Sequence, residues 1–161
     1  MRIGAMLNQK SEMMGVGGPA ETALAADRIA RGVMRMLDGI GFAALREFPL
    51  RARRRADVVA LNDTGEVIIV EIKSGRADFQ SDQKWPEYLE FCDRFFFAVD
   101  PDFPHDILPL DCGLIVADAH GGEILRPAPQ GKLNGNRRRT LTVEIALAAS
   151  RRLHRTIDPE F

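Results

Sequence analysis

Residues 54–75 read RRADVVALNDTGEVIIVEIKSG. Two apolar runs, VVAL at 58–61 and VIIV at 67–70, flank NDTG at 62–65, a set of residue types that suits a tight hairpin turn. The second run shows no polar alternation, the pattern of a central strand covered on both faces. It nevertheless closes on Glu71, Ile72 and Lys73. In a strand, residues i and i+2 share a face, so Glu71 and Lys73 project together while Ile72 faces the opposite layer. Asp57 opens the first run, and a hairpin centred near 63–65 sets it nearly opposite Glu71. Two carboxylates at cross-strand distance repel unless something cationic lies between them. Lys73 supplies one positive charge. A divalent ion supplies more, and hard oxygen ligands suit magnesium or manganese. Taken alone, E-x-K is more often a strand-end surface pair worth little.

The elements around this core follow from periodicity. Pro19 opens a helical pattern in which Leu24, Ile29, Val33, Met36, Leu37 and Ile40 recur on one side. Gly39 and Gly41 suit its end, and Gly32 is an interior weakness. A strand is expected near 42–50, then the hairpin strands, then a helix from about Ser81 carrying Trp85, Tyr88, Leu89 and Cys92 on one side. RFFFAVD at 94–100 and CGLIVAD at 112–118 read as strands. PQGKLNGNRRR at 129–139 reads as a loop before a final helix from Thr140. The expectation is an α/β fold with a mixed sheet sandwiched by helices, over residues 19–161, after a flexible leader at 1–18.

Composition limits the function classes. The chain has 161 residues, 45% hydrophobic and 28% charged, enough for a core without disulfides. Its two cysteines, Cys92 and Cys112, lack C-x-x-C or Cys/His spacing and read as reduced, buried thiols of a cytoplasmic protein. No run reaches membrane-spanning length, and the first 19 residues lack the apolar segment of a secretory signal. The net charge of −1 gives no global pull toward nucleic acid, but RARRR at 51–55, NRRR at 136–139 and RRLHR at 151–155 concentrate cations. Such runs are usually solvated faces; phosphate contact is the functional alternative. His105, His120 and His154 have no partner at ligand spacing, and GVGG at 15–18 lacks the following Lys-Ser/Thr of a phosphate loop.

The stretch 54–75 resembles the core of the PD-(D/E)XK nuclease superfamily, whose elements run α-β-β-β-α-β, a restriction-endonuclease-like fold. With REFPL before it and SDQKWPEYLEFCDRFFFAV and GLIVAD after it, the chain is similar to the MmcB-like family of that superfamily, associated with bacterial DNA repair. The resemblance covers about residues 20–126. It implies metal-dependent phosphodiester hydrolysis, with Asp57, Glu71 and Lys73 at the superfamily's motif positions; Ala56 stands where the superfamily name has proline. It further implies that Asp57, Glu71 and the Ile72 carbonyl hold Mg2+ or Mn2+, and that Lys73 orients a water or stabilises developing charge. A further acid is often used in the superfamily; Glu47, an acid inside an otherwise apolar strand, is the first candidate, a solvent-facing strand residue being its alternative, and Glu21 is the second, also explained as a helix N-terminal acid. Gln83, Lys84, Arg53, Arg54 and Arg55 are the candidate DNA contacts. Asp78 and Asp82 read as helix-entry residues, or as water-mediated support for a metal. DNA is the expected partner; nucleases of this fold often pair to reach two strands, which makes a homodimer one of the states the resemblance allows. The competing readings are a DNA-binding repair scaffold that keeps the fold without turnover, and a regulatory protein with no nucleic acid.

Overall fold

The computed structural model describes residues 18–51 and 53–160. The leader expected over 1–18 lies, but for Gly18, outside them. Helix α1 (Pro19–Gly39) is followed by strands β1 (Ala43–Leu50), β2 (Arg54–Leu61) and β3 (Val67–Ile72). A short helix α2 (Arg76–Ser81) and a 3-10 helix (Trp85–Phe91) lead into β4 (Arg94–Val99). A one-turn 3-10 segment (His105–Ile107), β5 (Gly113–Ala117), β6 (Gly122–Arg126) and helix α3 (Gly135–Ile157) complete the chain. The α-β-β-β-α-β order expected from the sequence is therefore the observed one.

The six strands form one mixed sheet in chain order. β1, β2 and β3 are antiparallel neighbours, β3–β4 and β4–β5 are parallel, and β5–β6 is antiparallel. All six residues of β3 are buried, as its unbroken apolar run requires of a strand with neighbours on both edges and layers on both faces. On one face, Ile29, Val33 and Leu37 of α1 pack with Val58, Val70, Ile72 and Phe96. On the other, Leu141 and Ile145 of α3 and Tyr88 and Phe91 of the 3-10 helix pack with Val59, Ile69, Phe95 and Phe97. Trp85 stacks on Phe95 with ring centroids 5.5 Å apart, so its role here is packing.

Two elements depart from the sequence expectations, each for a local reason. No continuous helix begins at Ser81. α2 ends there, and Pro86, at the start of the 3-10 helix, disfavours helical geometry at the residue before it. Leu89, assigned to the inner side of that helix, is exposed. α3 begins at Gly135 rather than Thr140, because the Asn134 side chain accepts from the Asn136 and Arg137 amides and caps a helix inside what reads as loop.

Gly32 has a packing reason. A Cβ at this position would stand 2.1 Å from the Asp118 carbonyl oxygen and 2.3 Å from that of Gly121, so α1 and the β5–β6 turn meet backbone to backbone. Alanine would gain about 1 kcal/mol in helix propensity but would force two backbones apart. We expect Gly32→Ala to destabilise the protein by about 1–3 kcal/mol, the range for overpacking, read as a lower midpoint in urea unfolding. An unchanged or raised midpoint would contradict this packing.

Asp93 and Arg138 form a tie that the sequence conceals. The Arg138 guanidinium forks onto both Asp93 carboxylate oxygens at 2.6 and 2.7 Å and also donates to the Gly65 carbonyl. Asp93 accepts as well from the Val67 amide. Burial works to raise the Asp93 pKa, but the guanidinium and the amide outweigh it and hold it below the usual carboxylate range. Arg138, read from NRRR as a surface or phosphate-binding cation, thus fastens α3 to the β2–β3 turn.

Candidate active site

The ladder between β2 and β3 ends at Val58–Val70, one step short of Asp57 and Glu71. That register places the two carboxylates opposite each other at the open end of the hairpin, where Asp57 Oδ2 accepts a hydrogen bond from the Ile72 amide at 2.8 Å. Glu71 is buried, with Oε2 lacking any hydrogen-bond partner. Its Oε1 lies 3.4 Å from Lys73 Nζ, so the two side chains share a face as their i, i+2 spacing demands. Ile72 packs in the opposite layer, against α1.

Lys73 is only 3% exposed, which decides that its charge must be met inside the protein. Asp82 meets it, at 2.7 Å from Oδ2 to Nζ. Asp82 also accepts from the Lys84 amide. It follows α2 instead of opening a helix, so helix entry does not explain it. The sequence signal was thin: an acid nine residues beyond Lys73, brought close only because α2 is short. Asp78 accepts from the Ser74 amide and hydroxyl and steadies the turn after β3.

These contacts set the electrostatics. Burial, then the Asp57 charge, push the Glu71 carboxyl up to about 7, with Lys73 opposing. Burial likewise raises Asp57, against the Ile72 amide and Lys73. Burial acts to depress Lys73, but the Asp82 hydrogen bond and the Glu71 and Asp82 charges prevail, so its pKa is raised and it stays an ammonium. Asp82 is held low, its desolvation outweighed by Lys73. The Tyr88 hydroxyl donates to the Arg55 carbonyl, and its pKa is raised by burial and by the nearby Glu71 and Asp57.

Asp57, Glu71, Ile72 and Lys73 line a cleft of about 690 Å³, walled on one side by Pro19, Thr22, Ala23 and Ala26 of α1. Glu47 lines it too. The pairs Arg46–Val58 and Phe48–Ala56 bracket Glu47 and Asp57, which stand opposite each other across β1 and β2. The Glu47 carboxylate, however, pairs with Arg55 Nε at 2.7 Å. Glu21 is exposed in the first turn of α1. Among the described residues no group of three or more His, Cys, Asp or Glu side chains is assembled to hold a metal. The protein therefore offers two carboxylates, one with a buried oxygen lacking any partner, and the strand-end backbone at Ile72. Magnesium keeps much of its water and is commonly held by one or two carboxylates together with substrate phosphate oxygens. The donor set fits such an ion.

Of the candidate DNA contacts, Arg54 pairs with Glu87 at 2.7 Å and Arg55 with Glu47, while Gln83 donates to the Gln80 carbonyl. Arg53 and Lys84 are exposed. Cys92 and Cys112 are free and buried, and burial raises both thiols, to about 12 and about 11. No helix among the described residues is long and apolar enough to cross a membrane.

Fold and site together define an α/β protein with a helix-flanked mixed sheet whose second and third strands present an acidic pair and a lysine to an open cleft. Residues 12–160 match the family described as DNA repair protein MmcB-like, and the chain belongs to that family. A solved structure described as SPO1766, a protein of unknown function from Silicibacter pomeroyi, is similar at 49% identity, over 84% of this chain and 93% of that one, with a TM-score of 0.81. A repair endonuclease from Pyrococcus abyssi aligns at 19% identity over 40% of this chain and 31% of its own, with a TM-score of 0.29, too loose to carry a structural argument. No curated protein matches the sequence.

Proposed function

We propose that this protein is a metal-dependent DNA nuclease of DNA repair, hydrolysing phosphodiester bonds at the Asp57–Glu71–Lys73 cleft. The observation that carries the reading is the buried Glu71 oxygen without a partner, opposite Asp57 and beside a buried lysine. A buried acceptor left unsatisfied costs about 1–3 kcal/mol, and a cation bound at that oxygen would relieve the cost. Asp57 and Glu71, with the Ile72 carbonyl, would hold magnesium or manganese, which when bound lowers the pKa of water and neutralises phosphate charge. The Lys73 ammonium, paired with Asp82, would stabilise negative charge developing on a phosphate oxygen. Glu47 stands beside the pair, engaged by Arg55, and Arg53, Arg54, Arg55, Gln83 and Lys84 are the proposed contacts to the DNA backbone.

A second reading, a repair scaffold that binds DNA without cutting it, draws on the engagement of Glu47, which leaves the site two carboxylates. One experiment separates them. Single-stranded, duplex and branched DNA are incubated with the protein and Mg2+ or Mn2+, beside an Asp57→Asn variant. Cleavage by the wild type that falls at least a hundredfold in the variant supports the nuclease. DNA binding without cleavage supports the scaffold, and neither binding nor cleavage overturns both.

A further inference from the structure

Glu47 has φ = +50°, in the left-handed region, in the middle of β1. For a residue that is not glycine, such a backbone costs about 1–3 kcal/mol and persists only where its surroundings enforce it. Its effect on the sheet is specific. In β1, Ala44 packs on the α1 face and Leu45 on the α3 face, yet Phe48, three residues beyond Leu45, is again on the α3 face. In β2, Val58 is on the α1 face and Val59 on the α3 face, yet Ala56, three before Val59, is on the α3 face too. Strict alternation would put residues three apart on opposite faces. Both strands therefore change face at the same level, at the Glu47–Asp57 step, and Asp57 is aimed into the cleft beside α1 instead of following Val59 into the core.

One side chain holds this break from outside. Arg152, on the last turns of α3, donates through one guanidinium nitrogen to the Arg46 carbonyl and through the other to the Glu47 carbonyl, the latter at 2.9 Å. These two carbonyls flank the left-handed residue's own backbone. A planar guanidinium can hold both at a fixed spacing; a lysine ammonium, as a point charge, cannot reproduce the fork.

We infer that Arg152 is a positioning residue: its fork on the Arg46 and Glu47 carbonyls maintains the left-handed break in β1 that aims the Asp57 carboxylate into the cleft. The inference rests on the proposed metal site for its functional meaning, but its structural half stands without it. Arg152 does not line the cleft that Asp57 enters.

The test uses the full chain carrying Arg152→Met, Arg152→Lys and a control, Glu144→Gln. Glu144 pairs with Arg51 at 2.8 Å and so also joins α3 to the end of β1, without touching the break. Two quantities are read: the amide resonance of Ile72 in metal-free protein, which reports its hydrogen bond to Asp57, and the Mn2+ dissociation constant by calorimetry. The expected result is a shifted Ile72 amide and about tenfold weaker Mn2+ binding for Arg152→Met. Arg152→Lys should fail to restore either, and Glu144→Gln should leave both as in wild type. An unmoved Ile72 amide in a folded Arg152→Met protein overturns the inference, as does an equal loss in Glu144→Gln, which would reduce Arg152 to helix docking. Should Arg152→Met not fold, the Arg152→Lys amide decides, and a wild-type position overturns the inference. If wild-type protein takes up no Mn2+, the metal reading fails while the Ile72 amide still decides the role of Arg152.

Discussion

Replacing Lys73 with methionine should lower DNA cleavage by about 10²–10³-fold, the usual effect of deleting one preorganised group that stabilises transition-state charge, while Mn2+ binding holds or tightens. The two parts of this expectation pull apart for a physical reason. Lys73 Nζ is 3.4 Å from Glu71 and carries a positive charge that repels a divalent ion, so its removal makes the acidic pair more attractive to a cation. A loss of cleavage in Lys73→Met cannot then be ascribed to a loss of metal. The pairing with Asp82 at 2.7 Å adds a check, because Asp82→Asn frees the ammonium without removing it and should give a smaller defect than Lys73→Met. Single-turnover cleavage at saturating Mn2+, with calorimetry on the same preparations, measures both quantities. Lys73→Met cleaving within threefold of wild type would remove Lys73 from the chemistry.

Glu71→Gln should make the metal-free protein more stable above neutral pH while it abolishes cation binding. In the folded state burial and the Asp57 charge push the Glu71 carboxyl up to about 7, against a reference value of 4.5. The folded protein therefore holds this proton more tightly than the unfolded chain does. With a raised carboxylate pKa, the ionised form penalises folding: the penalty is absent below about pH 4.5, grows through the window between 4.5 and 7, and is complete above it. Relief of that penalty is worth about 1–3 kcal/mol. Urea unfolding at pH 8 should place Glu71→Gln above wild type, and the advantage should vanish at pH 4. Adding Mn2+ should stabilise wild type and not the variant, since a ligand stabilises only the state that binds it. A variant less stable than wild type at pH 8 would mean that Glu71 is structurally satisfied, against the buried oxygen without a partner.

How much of this was legible in the sequence depends on the range of each interaction. The hairpin, the all-buried β3 and the shared face of Glu71 and Lys73 follow from a turn tetrapeptide and a two-residue period, both local. The opposition of Asp57 and Glu71 follows by counting from the turn, and the family resemblance adds the order of the elements. Asp82 escaped because its role depends on where a short helix stops. Arg138 and Arg152 escaped because runs of arginine look alike in sequence, whereas one forks onto Asp93 and the other onto two carbonyls of β1. Glu47 was singled out as an acid within an apolar strand that needed a reason. The structure gives its carboxylate a partner, Arg55, and its backbone a left-handed φ of +50°, which has no signature in composition or periodicity.

The ion pairs along the arginine-rich stretches bear on how a polyanion would be met. Arg51, Arg54, Arg55, Arg137 and Arg138 each already face an acid of this same chain. A nucleic acid arriving at the surface would have to compete with those carboxylates for every one of them. Its association would displace fewer condensed counterions than the arginine count suggests, and its decline with ionic strength would be correspondingly shallow.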